Sequence, residues 1–173
     1  MLNKLNFNNE SLFLYLDTNL NSLYNKQEFE MPVRTANAEW NGDLKSGKGS
    51  INTQTKTLSN VAYDAGSRFE TGSTTNPEEL IGAAHSACYS MALANALSKE
   101  GFKVNSIKTD DKVHIEKLES GFTITKIEIN TVGDVEGIDA AGFQKFAEQT
   151  KSGCPVSKAL TGPNMFLTAT LKS

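Results

Sequence analysis

NPEELIGAAHSACYSMAL, residues 76–93, is the stretch from which the fold class can be read. Asn76 can accept hydrogen bonds from the unpaired N–H groups of a helix start. Pro77 suits the first helical position because it has no N–H to satisfy, and Glu78 and Glu79 place negative charge at the positive end of the helix dipole. The spacing predicts one long helix from Pro77 to about Lys99, ended by Gly101. Leu80, Ala84, Cys88 and Met91 recur at intervals of four and three and are expected to form its apolar stripe, with Cys88 on it. A thiol among small residues ordinarily fills a gap, and it becomes reactive only when something distant in sequence lowers its pKa.

Strand patterns lie on both sides of this helix. Before it, Val33 to Trp40 and Ser50 to Thr55 flank a turn at Asn41-Gly42 and read as an antiparallel hairpin. A loop with Tyr63, Gly66, Arg68, Phe69 and Gly72 leads into the helix. After it, Lys112 to Lys117 and Phe122 to Val132 flank Glu119-Ser120-Gly121 as a second hairpin, and a slip of the apolar phase between Ile124 and Ile127 marks a bulge. Asp139 can cap a helix that carries Phe143, Phe146, Ala147 and Thr150 on one face and ends at Gly153. Cys154-Pro155-Val156-Ser157 opens a further short helix, and Met165 to Leu171 is the closing strand. The mixture is α+β.

A length of 173 residues suits one domain. Residues 1–30 are rich in Asn and Leu and contain no Gly, and they read as an extension outside a compact domain spanning 31–173. The net charge of −3, without a basic cluster, argues against nucleic acid as the main partner. The apolar run Leu12 to Leu16 is too short for a bilayer span and is followed by Asp17 rather than by a cleavage site. A soluble, cytoplasmic protein is therefore expected.

The run from Gly42 to Lys48 fits most of a phosphate-binding loop, but it has Gly49 where Ser or Thr should hold magnesium and sits between two strands, so it reads as an exposed turn. His85, three residues before Cys88, could pair with it as in a thiol hydrolase, but no orienting third group is evident, and a packed imidazole is the better reading. Cys88, His85 and Cys154 lack the short paired spacings of a zinc site. Cys88 lies eleven residues into its helix, beyond the reach of the N-terminal dipole, so only a cation could activate it. Arg68 is the candidate, and an ordinary surface charge is its competing reading. Cys154, between Gly153 and Pro155, begins a helix whose dipole favours a thiolate. On these grounds Cys154 is the more acidic thiol, and the order of attack stays open.

Three motifs resemble the OsmC/Ohr family of osmotically inducible and organic hydroperoxide resistance proteins. They are residues 76–93, Gly121-Phe-Thr-Ile-Thr-Lys-Ile127 and Gly153-Cys-Pro-Val-Ser157. The resemblance runs from about Ala38 to Ser173, and the stretches Trp40-Asn-Gly-Asp43, Gly47-Lys-Gly49 and Arg68-Phe-Glu70 favour the OsmC branch. It implies antiparallel sheets around a long central helix in an intertwined homodimer. It also implies a thiol peroxidase that reduces organic hydroperoxides, and hydrogen peroxide less well, in oxidative and osmotic stress defence. By that resemblance Cys88 is the peroxidatic cysteine, Cys154 the resolving one, Arg68 the arginine that holds the thiolate and Glu78 the acid that positions the arginine. A sulfenic acid at Cys88 would condense with Cys154 to a disulfide, reopened by a dithiol such as a lipoylated protein, and the chemistry needs neither organic cofactor nor metal.

Helix geometry adds one expectation. Glu78 and Cys88 are ten residues apart, about 15 Å along the axis and roughly 80° apart in rotation, so one arginine can hardly touch both. A partner subunit is therefore expected to supply Glu78 or Arg68 to each Cys88, with Gly82, Ala83, Ser86 and Ala87 allowing the close approach of an antiparallel helix.

Overall fold

The structure, a computed structural model, describes residues 31–172; the extension read over residues 1–30 lies outside them. The compact unit begins at Ala36. Its first sheet is antiparallel, in the order β1 (Ala36–Asn41), β2 (Lys48–Thr53), β3 (Val61–Tyr63). Gly42, at φ +98, makes the turn between β1 and β2, a conformation that residues with a Cβ avoid. Asp43 holds the turn by accepting the N–H groups of Lys45 and Ser46 at 2.8 Å each. The segment resembling a phosphate loop is thus a hairpin turn.

Beyond β3, a short helix α1 (Ala65–Phe69) stands where the sequence reads as loop. Asp64 caps it by accepting the Ser67 N–H, and Arg68 lies in its last turn. The long helix α2 (Pro77–Lys99) starts and stops as expected: Asn76 accepts the Glu79 N–H at 2.8 Å, and Gly101 follows the end at φ +86.

The buried face of α2 differs from the expected stripe. It consists of Glu78, Gly82, His85, Tyr89, Leu93 and Leu97. Met91 is 70% exposed, Ala84 is exposed, and Leu80 and Cys88 are half-buried. Counting apolar side chains overlooks two polar residues that become buried because distant elements supply their hydrogen bonds, and a glycine that lets Val113 and Asp111 of the underlying strand come close.

That strand is β4 (Lys103–Leu118), paired antiparallel with β5 (Gly121–Glu136). Both run 16 residues, longer than the apolar pattern indicates, because polar inward residues such as Thr131 are satisfied across the sheet by Thr109. His114 faces Lys126 while Ile115 faces Ile124, so Thr125 is the extra residue of a bulge where the apolar phase slips. The closing strand β6 (Asn164–Leu171) runs parallel to β5.

Between β5 and β6 lie α3 (Ala140–Gly153), capped by Asp139, and α4 (Pro155–Ala159). The core joins Tyr89, Leu93 and Leu97 of α2 to Ile127 and Ile129 of β5 and to Phe143 and Ala147 of α3. Tyr89 ties the two helices together: its ring is fully buried and its hydroxyl donates to the Ala147 carbonyl at 2.8 Å. Burial raises its phenol above the usual tyrosine range. Tyr89→Phe keeps the ring and loses the bond, so stability should fall by about 1 kcal/mol. A thermal melt should show this as a midpoint lower by about 2–4 °C.

Candidate active site

Two pairs of side chains carry the chemistry. The first is Cys88 and Cys154, both reduced, with their sulfurs 3.0 Å apart. Cys88 comes from the middle of α2. Cys154 sits at the corner between α3 and α4: its N–H donates to the Thr150 carbonyl, which finishes one helix, and Pro155 begins the next. That corner turns the Cys154 side chain into the core, where it is fully buried, whereas Cys88 is half-buried.

The two thiols differ in acidity. Burial pushes Cys88 up, reinforced by the hydrogen bond with Cys154 and opposed by the Val156 backbone. Burial also works against ionisation of Cys154, but hydrogen bonds from Cys88, from the backbone and side chain of Ser157 and from the backbone of Val156 outweigh it and bring that thiol down. The lowering of Cys154 is the direction expected from its place at a helix start.

The second pair is Arg68 and Glu78. Arg68 donates from Nε (3.0 Å) and Nη2 (2.9 Å) to the same oxygen, Oε1 of Glu78. Glu78 is buried, its Oε2 has no partner among the described residues, and the arginine is 36% exposed. Glu79, the other acid, instead takes the Thr75 hydroxyl at 2.9 Å and its N–H is spent on the Asn76 cap, which separates the roles of two carboxylates that the sequence leaves side by side. Within one chain the two pairs stay apart. Glu78 is ten residues along α2 from Cys88, about 15 Å, and no cation figures among the influences on the Cys88 sulfur.

A third group, unforeseen from sequence, surrounds His85. Its Nδ1 lies 2.5 Å from Asp111 Oδ2 on β4, and its Nε2 lies 2.8 Å from Ser157 Oγ on α4. His85 therefore does have an orienting partner, but both ring nitrogens are committed away from Cys88, which removes the Cys–His hydrolase arrangement. The signal available for Asp111 was the Asp110-Asp111 doublet within a strand, where alternation forces one of two neighbours inward.

The family profile described as OsmC-like protein matches residues 70–168. The chain belongs to the OsmC family. It is 47% identical over 123 residues to peroxiredoxin OsmC of Escherichia coli (strain K12), covering 71% of this chain and 86% of that protein. Among solved structures, the organic hydroperoxide resistance protein OhrB of Bacillus subtilis is 26% identical, with a TM-score of 0.56 over 80% of this chain and 98% of that one. An OsmC-like protein from Mycoplasma pneumoniae shares the fold at 12% identity, with a TM-score of 0.65 over 82% and 99%. Like those neighbours, this OsmC-family chain combines two sheets with a long helix. No helix among its described residues is long and apolar enough to cross a membrane.

Proposed function

We propose that this OsmC-family protein, a peroxiredoxin-like enzyme, reduces organic hydroperoxides, and hydrogen peroxide less well, in cytoplasmic defence against oxidative and osmotic stress. It works as a homodimer in which the Arg68–Glu78 pair of one subunit serves Cys88 of the other. The observation that carries the reading is the 3.0 Å separation of the two reduced sulfurs. Two thiols so placed close to a disulfide, about 2.05 Å, with a shift of roughly 1 Å and no rearrangement of the fold.

The Cys88 thiolate attacks one peroxide oxygen. The O–O bond breaks, an alcohol leaves, and the sulfur becomes a sulfenic acid. Cys154 then displaces hydroxide from that sulfur to give the disulfide, and a dithiol, such as a lipoylated protein, returns both cysteines to thiols. Access supports Cys88 as the first nucleophile, because Cys154, although the more acidic, is fully buried. A cavity of about 280 Å³ beside Arg68, walled by Trp40, Leu44, Tyr63 and Phe69, suits the organic group of the substrate.

The dimer is supported by the face of α2 that carries Ala83, Ala84, Ala87 and Met91, all exposed, where small side chains allow close approach of a second helix. Gly82, grouped with them in the sequence reading, faces β4 instead.

Mass spectrometry after one equivalent of cumene hydroperoxide tests the mechanism. A Cys88–Cys154 disulfide is expected in the unmodified protein, and a sulfenic acid trapped by dimedone at Cys88 in Cys154→Ser. If both cysteines stay reduced while the peroxide is consumed, the reading is wrong.

A further inference from the structure

We propose that Asp111, His85 and Ser157 form a buried proton relay that serves Cys154 during closure of the disulfide. This rests on the reading of Cys154 as the resolving cysteine. The three groups come from three elements, β4, α2 and α4, and converge on the thiol pair. Asp111 and His85 side chains are 1% and 0% exposed, and Ser157 is buried. A polar chain of this kind is costly to bury and gains nothing for the core that apolar residues would not supply. Its connectivity is that of a serine hydrolase triad, yet Ser157 has a thiol as its neighbour instead of an open cleft.

The hydrogen bonds fix the direction of transfer. With a proton on Nδ1 donated to Asp111 Oδ2, Nε2 is left as an acceptor, and the Ser157 hydroxyl donates to it at 2.8 Å. Ser157 lies three residues past Cys154 in the first turn of α4, so its Oγ can take up the thiol proton as Cys154 ionises. Once Nε2 is protonated, the hydroxyl turns to donate to the sulfur, the interaction that brings the Cys154 thiol down. As Cys154 attacks the Cys88 sulfenic acid, the S–S bond forms and the S–OH bond breaks. The Cys154 sulfur is oxidised and the sulfenic sulfur reduced. The thiol proton passes to Ser157 Oγ while the hydroxyl proton of Ser157 passes to Nε2. The departing hydroxide takes a solvent proton and leaves as water. When a dithiol reopens the disulfide and Cys154 departs as thiolate, the chain runs backward and restores its proton. Ser157 is the group that exchanges the proton with the reacting sulfur; His85 and Asp111 act through it and are positioning residues. The ionisable groups around this path are Cys88, His85 and Tyr89 from α2, Asp111 from β4 and Glu148 from α3.

Rapid-quench trapping after a peroxide pulse separates formation of the sulfenic acid from its closure to disulfide. Ser157→Ala is expected to slow closure by about 100-fold while the sulfenic acid still forms. Ser157→Thr, which keeps the hydroxyl, should recover most of the closure rate. Asp111→Asn offers an amide N–H to Nδ1, which forces the ring proton onto Nε2, and closure should slow to a similar degree. In the Cys88→Ser background, ultraviolet absorbance of the thiolate should show Cys154 ionising at higher pH once Ser157 is Ala. Closure at the unmodified rate in Ser157→Ala would overturn the relay, as would a Thr variant as slow as Ala, since that would make the effect one of packing. Should Asp111→Asn not fold, the two Ser157 variants decide. Absence of any disulfide in the unmodified protein would instead remove the reading of Cys154 on which the relay stands.

Discussion

Equal amounts of Cys88→Ser and Arg68→Ala protein, mixed and allowed to exchange subunits, are expected to recover about a quarter of the unmodified peroxidase rate, although each alone is nearly inactive. The reason begins with the thiol. In the single chain, burial raises the Cys88 pKa and no cation offsets it. A thiol at or above its ordinary value is only about 3% ionised or less at neutral pH, and a neighbouring guanidinium recovers up to about tenfold in thiolate for each unit by which it lowers the pKa. Arg68→Ala should therefore cost roughly 100-fold in the reaction with peroxide. Arg68 cannot make this correction in its own chain while Glu78 holds it about 15 Å along the helix from Cys88. Random exchange makes half of the dimers mixed, and each mixed dimer contains one complete site, with Cys88 from the Arg68→Ala subunit and Arg68 from the Cys88→Ser subunit. If the arginine acted within its own chain, no mixed dimer would hold a complete site. The rate of peroxide loss would then stay at the level of the separate variants, and the shared site would be refuted.

The parts of this fold that the sequence disclosed are those set by neighbours along the chain. Asn76, Pro77 and Gly101 bracket α2 because capping and left-handed backbone are decided within a turn of the helix. Gly153-Cys154-Pro155 announces a corner between two helices for the same reason, and with it the environment that makes Cys154 acidic. The bulge at Thr125 was legible as a lost phase in an alternating strand. The parallel pairing of β6 was not disclosed in this way: the resemblance implies antiparallel sheets, whereas α3 and α4 carry the chain back to the end of the sheet where β5 begins, so that β6 runs alongside it in the same direction.

The burial of His85 and Glu78 was not legible in this way. Apolar counting assigns polar residues to solvent, and here the partners that make burial tolerable lie 26 and ten residues away, on β4 and α1. The same long-range pairing hid Asp111 and Ser157 while leaving Cys88 and Cys154 visible as rare residues in distinctive motifs. Arg68 was reached as the cation a mid-helix thiol requires and Glu78 through the family motif, and their contact is a tertiary fact that spacing alone does not supply.

The largest expected loss of stability involves a glycine that no motif marks. Gly133 lies on β5 between Ile107 of β4 and Leu171 of β6, directly beneath Phe143. A Cβ added there would sit 2.3 Å from one atom of the Phe143 ring and 2.5 Å from another. The ring is fully buried in the core and cannot swing aside cheaply. Gly133→Ala should accordingly cost about 2 kcal/mol by overpacking, with a thermal midpoint lower by about 4–8 °C. Phe143→Leu alone leaves a small cavity and should cost on the order of 1 kcal/mol. The double variant should lose less than the sum, because the space vacated by the ring is the space the new methyl group requires. Function should follow the same cycle. Phe143 stands near the start of α3, whose far end places Cys154 against Cys88, so a displaced ring tilts the helix that sets the sulfur separation. Closure of the disulfide should slow in Gly133→Ala and recover in the double variant. Additive stability losses, or closure as slow in the double variant as in the single one, would show that this contact does not hold α3 in place.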